Sequence, residues 1–191
     1  DKAKSMGMEA LAITNHGNMF GVKEFHNTAT KKGIKPIIGC EIYVAKRSIS
    51  GSQVKEDRSG NHLILLARNL TGYKNLIKLV SAAWIKGFYY TPRVDKELLE
   101  RYSEGLIASS ACLAGEIPDE ILNGSSAGAE EALKYYLSVF GEDFYLEIQN
   151  HNMDVEKPIL ENMPKIANEL DIKLVATNDC HYVDKDHAVA H

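Results

Sequence analysis

The residues able to do chemistry fall just after short apolar runs. Ala12-Ile13-Thr14 leads into Asn15-His16-Gly17, Ile37-Ile38-Gly39-Cys40 into Glu41, and Ala108 to Ala111 into Cys112. Glu147-Ile148-Gln149 leads into Asn150-His151, and Val175 to Asn178 into Asp179-Cys180-His181. Imidazole, carboxylate and thiolate donors in this mixture suit Zn²⁺, Mn²⁺ or Fe and not the all-oxygen cages of Ca²⁺ or Mg²⁺. Such sets are the makings of a multi-metal hydrolase, in which an activated water attacks phosphorus and the ions steady the charged oxygens. The spacing Asp179-x-His181 puts both side chains on one side of an extended strand end. A rival use exists for Cys112, as the nucleophile of a cysteine hydrolase. The surplus of His and carboxylate exceeds what a triad needs, so the thiol reads better as a ligand.

The elements that must position these residues alternate. The runs Ala10–Ile13, Pro36–Ile38, His62–Ala67, Gly105–Ser110, Phe144–Ile148 and Lys173–Ala176 read as strands buried on both faces of a parallel sheet. Helical spacing fills Gly21–Lys32, Gly72–Trp84, Lys96–Tyr102, Ala127–Phe140 and Val155–Leu170, with Gly33 and Gly141 as stops and Asp95 and Asp154 as N-caps. In parallel α/β folds ligand sites lie at the carboxyl ends of strands, so residues distant in sequence converge on one mouth. His62 is the misfit, because it opens its run instead of closing it.

Other residues carry blander readings. His26, His187 and His191 read as surface or packing residues, and Cys40 and Cys180 as small buried hydrophobes. The Lys46–Gly60 stretch, with charge runs at Lys46-Arg47 and Lys55 to Arg58, reads as a solvated linker-like loop. Tyr89 to Arg93 reads as packing and turn, with a weaker possibility of stacking on a nucleotide strand.

Composition narrows the class. The chain has 191 residues, 45% hydrophobic and 25% charged, with net charge −4. That is the make-up of a globular protein with a real core, and it excludes global disorder. No apolar run is long enough for a membrane span and no signal peptide is visible, so the chain is expected to be cytoplasmic, with no membrane partner. Three cysteines without a CxxC pair exclude a disulfide framework and a zinc ribbon. The acidic balance argues against tight duplex binding by this surface alone.

Longer motifs add a resemblance. The runs ALAITNHGNMFGVKEF, GIKPIIGCEIYV, NHLILLARNLTGYKNLIKLVS, GFYYTPRVDKELLE, GLIASSACLAGEIP and LVATNDCHYVDKDHAVAH resemble the N-terminal PHP (polymerase and histidinol phosphatase) domain of bacterial DNA polymerase III alpha subunits. The resemblance covers essentially residues 1–191 as one PHP domain. It implies a distorted (βα)7 TIM-like barrel with up to three divalent ions at one mouth. Carried over by position, the ligands are His16, Glu41, His62, Cys112, Asp179 and His181, with Asp179 and His181 serving the reaction directly. His151 is expected to line the mouth without ligating. The family's opening His-x-His and Asp, and its first strand, are expected to precede residue 1, so the chain reads as a piece of a larger polymerase. Asn15 stands where members carry Asp, which weakens support for His16.

Two functions follow from the resemblance. One is a metal-dependent phosphoesterase, a 3′→5′ exonuclease editing the DNA primer strand. The other is a non-catalytic module that braces the remainder of the alpha chain and docks a separate proofreading exonuclease subunit. Retention of all six visible ligand positions favours the first.

Overall fold

The computed structural model describes residues 1–51 and 54–190; His191 lies outside them. The apolar runs form strands β1 (Ala10–Ile13), β2 (Lys35–Val44), β3 (Asn61–Ala67), β4 (Phe88–Tyr89), β5 (Thr91–Val94), β6 (Leu106–Ser109), β7 (Phe144–Gln149) and β8 (Lys173–Thr177). The helices are α1 (Lys2–Ser5), α2 (Val22–Lys31), α3 (Leu70–Ile85), α4 (Lys96–Tyr102), α5 (Glu116–Leu122), α6 (Ser126–Phe140) and α7 (Lys157–Glu169). Asp95 caps α4 as expected, its carboxylate accepting from Leu98 N at 3.1 Å. Asp154 does not cap α7; it opens a 3-10 turn, Asp154–Glu156, that feeds the helix. The β4–β5 hairpin and α5 were not expected.

One sheet holds the strands in the order β4-β5-β2-β3-β6-β7-β8, with β1 on β2. It is not purely parallel. Strand β3 runs antiparallel to both β2 and β6, while β1, β2, β6, β7 and β8 run the same way. The expected barrel is therefore realised only as a curled sheet: among the described residues β1 and β8 each keep an edge without a strand partner. Their flanks stay open, with Leu11 41% and Leu174 39% exposed. Curling is enough to bring the loops after these two strands into contact, since His16 and His181 meet.

The expectation of strands buried on both faces fails for the same reason. In β3, Leu63 and Leu65 are fully buried, whereas His62, Ile64 and Leu66 are only partly covered. The first set packs outward on helices: Leu76, Leu79 and Ala83 of α3, Leu133, Tyr136 and Phe140 of α6, and Ile159 and Met163 of α7 share its core. Each such large apolar side chain contributes about 1.5–3 kcal/mol. The second set faces inward. Ile64 and Leu66 line a cavity of about 700 Å³ that opens on the strand ends.

The Lys46–Gly60 loop is pinned, not merely solvated. Asp57 is buried, pairs with Arg47, and takes the Val54 amide at 2.9 Å. Arg93, itself buried, donates to the Asp57 carbonyl at 2.5 Å and to the Gly87 carbonyl at 3.2 Å. Residues 52 and 53 of this loop lie outside the described set.

Candidate metal centre

Strand direction settles the His62 misfit. Because β3 is antiparallel, its first residues lie beside the carboxyl end of β2, and His62 pairs in register with Tyr43. Glu41 and Tyr43, two residues apart on one strand, share a face with it. The β1 chain continues past Ile13 to form an isolated parallel bridge between His16 and Glu41. Gly17 then turns away at φ 63, in space so tight that a Cβ would stand 2.7 Å from Pro92 Cγ and 3.1 Å from Tyr43 Cε2.

Three expected ligands thereby converge. One ligand atom from each of His16, Glu41 and His62 lies within 4.8 Å of the others. Glu41 Oε1 stands 3.5 Å from His16 Nδ1 and against His62 Nδ1. Tyr43, not anticipated, completes the wall: its ring centroid is 5.1 Å from that of His62 and 6.4 Å from that of His16. The signal for it was the two-residue spacing from Glu41.

Cys112 joins through a folded loop. His62 N donates to the Ala114 carbonyl at 2.9 Å and Gly115 N to the Cys112 carbonyl at 2.9 Å. Gly115 must be glycine here, since a Cβ would sit 1.9 Å from the Ser110 carbonyl oxygen. Ala111 takes φ 59, an uncommon value for a residue with a side chain. The result is Cys112 Sγ at 3.4 Å from His62 Nδ1.

His181 and Asp179 arrive differently from the expected strand-end geometry. β8 ends at Thr177, and Asp179 adopts the left-handed φ of 46, so the two-residue alternation does not apply. His181 Nδ1 instead donates to the Asp179 carbonyl at 2.8 Å, which turns Nε2 toward the mouth. That nitrogen faces His16 Nε2 at 3.2 Å. The Asp179 carboxylate lies 3.8 Å from His181 Nδ1 and lines the cavity, without entering the three-residue group.

The electrostatics suit a cation. Glu41 is 3% exposed, and its Oε1 is set against the ring nitrogen of His62 and, at 3.5 Å, that of His16. A buried carboxylate is costly unless a positive charge supplies the balance. Burial disfavours a charged His62 imidazole, but the Cys112 and Glu41 contacts outweigh it and push its pKa up to about 10. The same atoms that hold a proton there would hold a divalent ion.

Other sites take other roles. Cys40 is fully buried with its thiol on the Asn15 carbonyl at 3.2 Å, and burial pushes its pKa up to about 12, as befits a packing residue. Cys180 is exposed, contrary to expectation, because it sits in the loop beyond β8 where nothing covers it. Asn15 contributes its backbone: its carbonyl also accepts Glu41 N at 3.1 Å. A buried carboxylate missed by sequence, Glu147, ties the cavity floor together. It accepts from Ser109 Oγ, from Thr177 Oγ1 at 2.5 Å and from Gln149 Nε2 at 3.1 Å, linking β6, β7 and β8.

The curled α/β sheet gathers His, Glu and Cys side chains at a mouth on its strand ends, and comparison with known proteins gives the family. The chain belongs to the PHP domain family, whose profile matches residues 1–151. It is similar to the DNA polymerase III subunit alpha of Treponema pallidum, 48% identical over 98% of this chain and 16% of that protein. It is likewise similar to the subunits of Borreliella burgdorferi, 48% identical over 99% of the chain and 17% of the protein, and Thermus aquaticus, 46% over 95% and 15%. The chain thus spans about a sixth of the length of these relatives. Among solved structures, a Bifidobacterium adolescentis protein assigned as a metal-dependent phosphoesterase shares the fold. Its TM-score is 0.56 at 16% identity, over 96% of this chain and 81% of that one. No helix among the described residues is long and apolar enough to cross a membrane.

Proposed function

We propose that residues 1–191 act as one PHP domain within a DNA polymerase III alpha chain, and that its mouth is a metal-dependent phosphoesterase trimming the 3′ end of a DNA primer strand. The observation that carries the reading is the buried Glu41 carboxylate, whose Oε1 is set between the ring nitrogens of His16 and His62. His16, Glu41, His62, Cys112, Asp179 and His181 would hold the ions, and their mixed donors favour Zn, Mn or Fe. Bound ions supply Lewis-acid activation and steady the charge that develops on phosphate oxygens. Tyr43 walls the ligands on one side, and the cavity behind them, about 700 Å³, has room for a terminal nucleotide and not for a duplex.

A second reading, the non-catalytic brace, is favoured by the apolar residues left in solvent. Phe20 is 85%, Ile85 80% and Phe88 54% exposed, which is surface that the remainder of a longer chain could cover.

Asp179→Asn in the full-length parent decides between them. The expected result is loss of 3′-terminal hydrolysis with polymerisation and melting temperature retained. Full exonuclease activity in the folded, metal-depleted variant assigns the activity elsewhere and leaves the brace.

A further inference from the structure

We infer that His151, gripped by Glu156, is a positioning residue for the metal centre: its ring holds the Asn178 carbonyl and so sets the loop that presents Asp179 and His181. The inference rests on the metal reading proposed above.

The grip begins with a buried anion. Glu156 is 1% exposed, at the end of the 3-10 turn before α7. Its Oε2 takes the backbone amides of His151 at 2.8 Å and Met153 at 3.2 Å, and its Oε1 faces His151 Nδ1 at 2.6 Å. The opposite ring nitrogen, Nε2, faces the Asn178 carbonyl at 3.0 Å. Carboxylate and carbonyl oxygens only accept, and a neutral imidazole has a single N–H. Both nitrogens must therefore carry protons, and His151 stands as an imidazolium bridging a buried carboxylate to a loop 27 residues further along.

The loop needs such a hold. It follows the edge strand β8, whose outer side has no strand partner among the described residues. Asp179 takes a left-handed φ of 46, a conformation that persists only where the surroundings enforce it. His181 then hangs from the Asp179 carbonyl and reaches His16. Were the His151–Glu156 pair only a helix-start device, the ring would have no need of Asn178.

The test uses the full-length protein with His151→Ala and His151→Gln. Amide hydrogen exchange in metal-free protein reads the loop directly, and cobalt(II) titration followed by visible absorption reads the centre. In His151→Ala, exchange at residues 178–181 should rise about tenfold while that of β6 stays unchanged, and the cobalt Kd should weaken roughly tenfold, in the range seen for residues that orient ligands. His151→Gln, whose amide donates to only one of the two acceptors, should recover part of both effects. Unchanged exchange at 178–181 overturns the inference, as does a loosened loop with unaltered cobalt affinity. If wild-type protein binds no cobalt while His151→Ala still frees the loop, the metal reading fails instead. Should His151→Ala not fold, His151→Gln carries the same two readouts.

Discussion

On the floor of the mouth, Glu41 and His62 come from paired strands, and their side chains are 4% and 22% exposed. On the rim, Asp179 and His181 come from a loop, both 30% exposed, and His16 is 43% exposed. The floor is placed by sheet register, so it is as stable as the core that fixes the register. The rim is placed by a few backbone-carbonyl bonds beside an open seam. A centre divided this way has one half pre-organised and one half able to adjust, and the two halves should respond differently to perturbation.

The largest contrast should be in stability. Leu65→Ala, in the fully buried helix-facing row of β3, should cost about 2–5 kcal/mol by chemical denaturation. Leu174→Ala in β8, 39% exposed, should stay within about 0.5 kcal/mol. Equal costs would mean that the seam is part of the core, and the division would collapse.

Metal affinity should follow the same order. Removing the buried anion in Glu41→Gln should weaken manganese or zinc binding by about 100-fold or more, beyond what loss of an orienting neighbour costs. His181→Ala should weaken it by roughly tenfold, because an exposed rim ligand is replaceable by solvent. Calorimetric titration of both variants reads the ratio directly. A reversed ratio would make the rim the anchor.

The rim's own dependence on pH is the next effect. The Asn178 carbonyl, and then Glu156, raise the His151 pKa above the ordinary imidazole value. Burial opposes ionisation of Glu156, but its bonds from His151 and Met153 win and lower its pKa. The histidine's contribution is complete below the ordinary imidazole pKa and is lost as pH rises through the raised one. The carboxylate's is present above the ordinary carboxylate pKa and is lost as pH falls through the lowered one. The link should therefore hold between the lowered carboxylate pKa and the raised imidazole pKa and fail on both sides. An NMR titration placing the His151 pKa at or below the ordinary imidazole value would remove it.

Asn15→Asp should have the smallest effect, within about twofold on metal affinity, because Asn15 acts through a carbonyl that the change preserves. A gain well beyond that would show that a side-chain carboxylate here supports His16 after all.

Much of the mouth was legible in sequence. His16, Glu41 and Cys112 follow apolar runs, and six runs expected as strands are strands. What periodicity cannot encode is direction: a run such as His62–Ala67 reads the same whether parallel or antiparallel, so His62 looked misplaced until β3 was seen reversed. Burial on both faces was misread for a related reason. The inner face of a curled sheet is apolar because it lines a cavity, not because helices cover it. The Asp179–His181 geometry was misjudged because the strand stops two residues earlier and a left-handed turn intervenes. Glu147 and Glu156 carry no sign of burial in sequence; only their partners, 38 and 5 positions away, account for it.

Trp84 gives the mouth an optical handle. The indole, at the end of α3, donates from Nε1 to the Gly17 carbonyl at 2.8 Å, one peptide from His16, and stacks on Phe88 with centroids 5.4 Å apart. It is the chain's one tryptophan. Any event that shifts the Gly17–Asn18 peptide alters the dipole at the end of that hydrogen bond, and with it the energy of the indole excited state. Fluorescence emission from this chain is therefore a single-site gauge of the rim, free of background from any second indole.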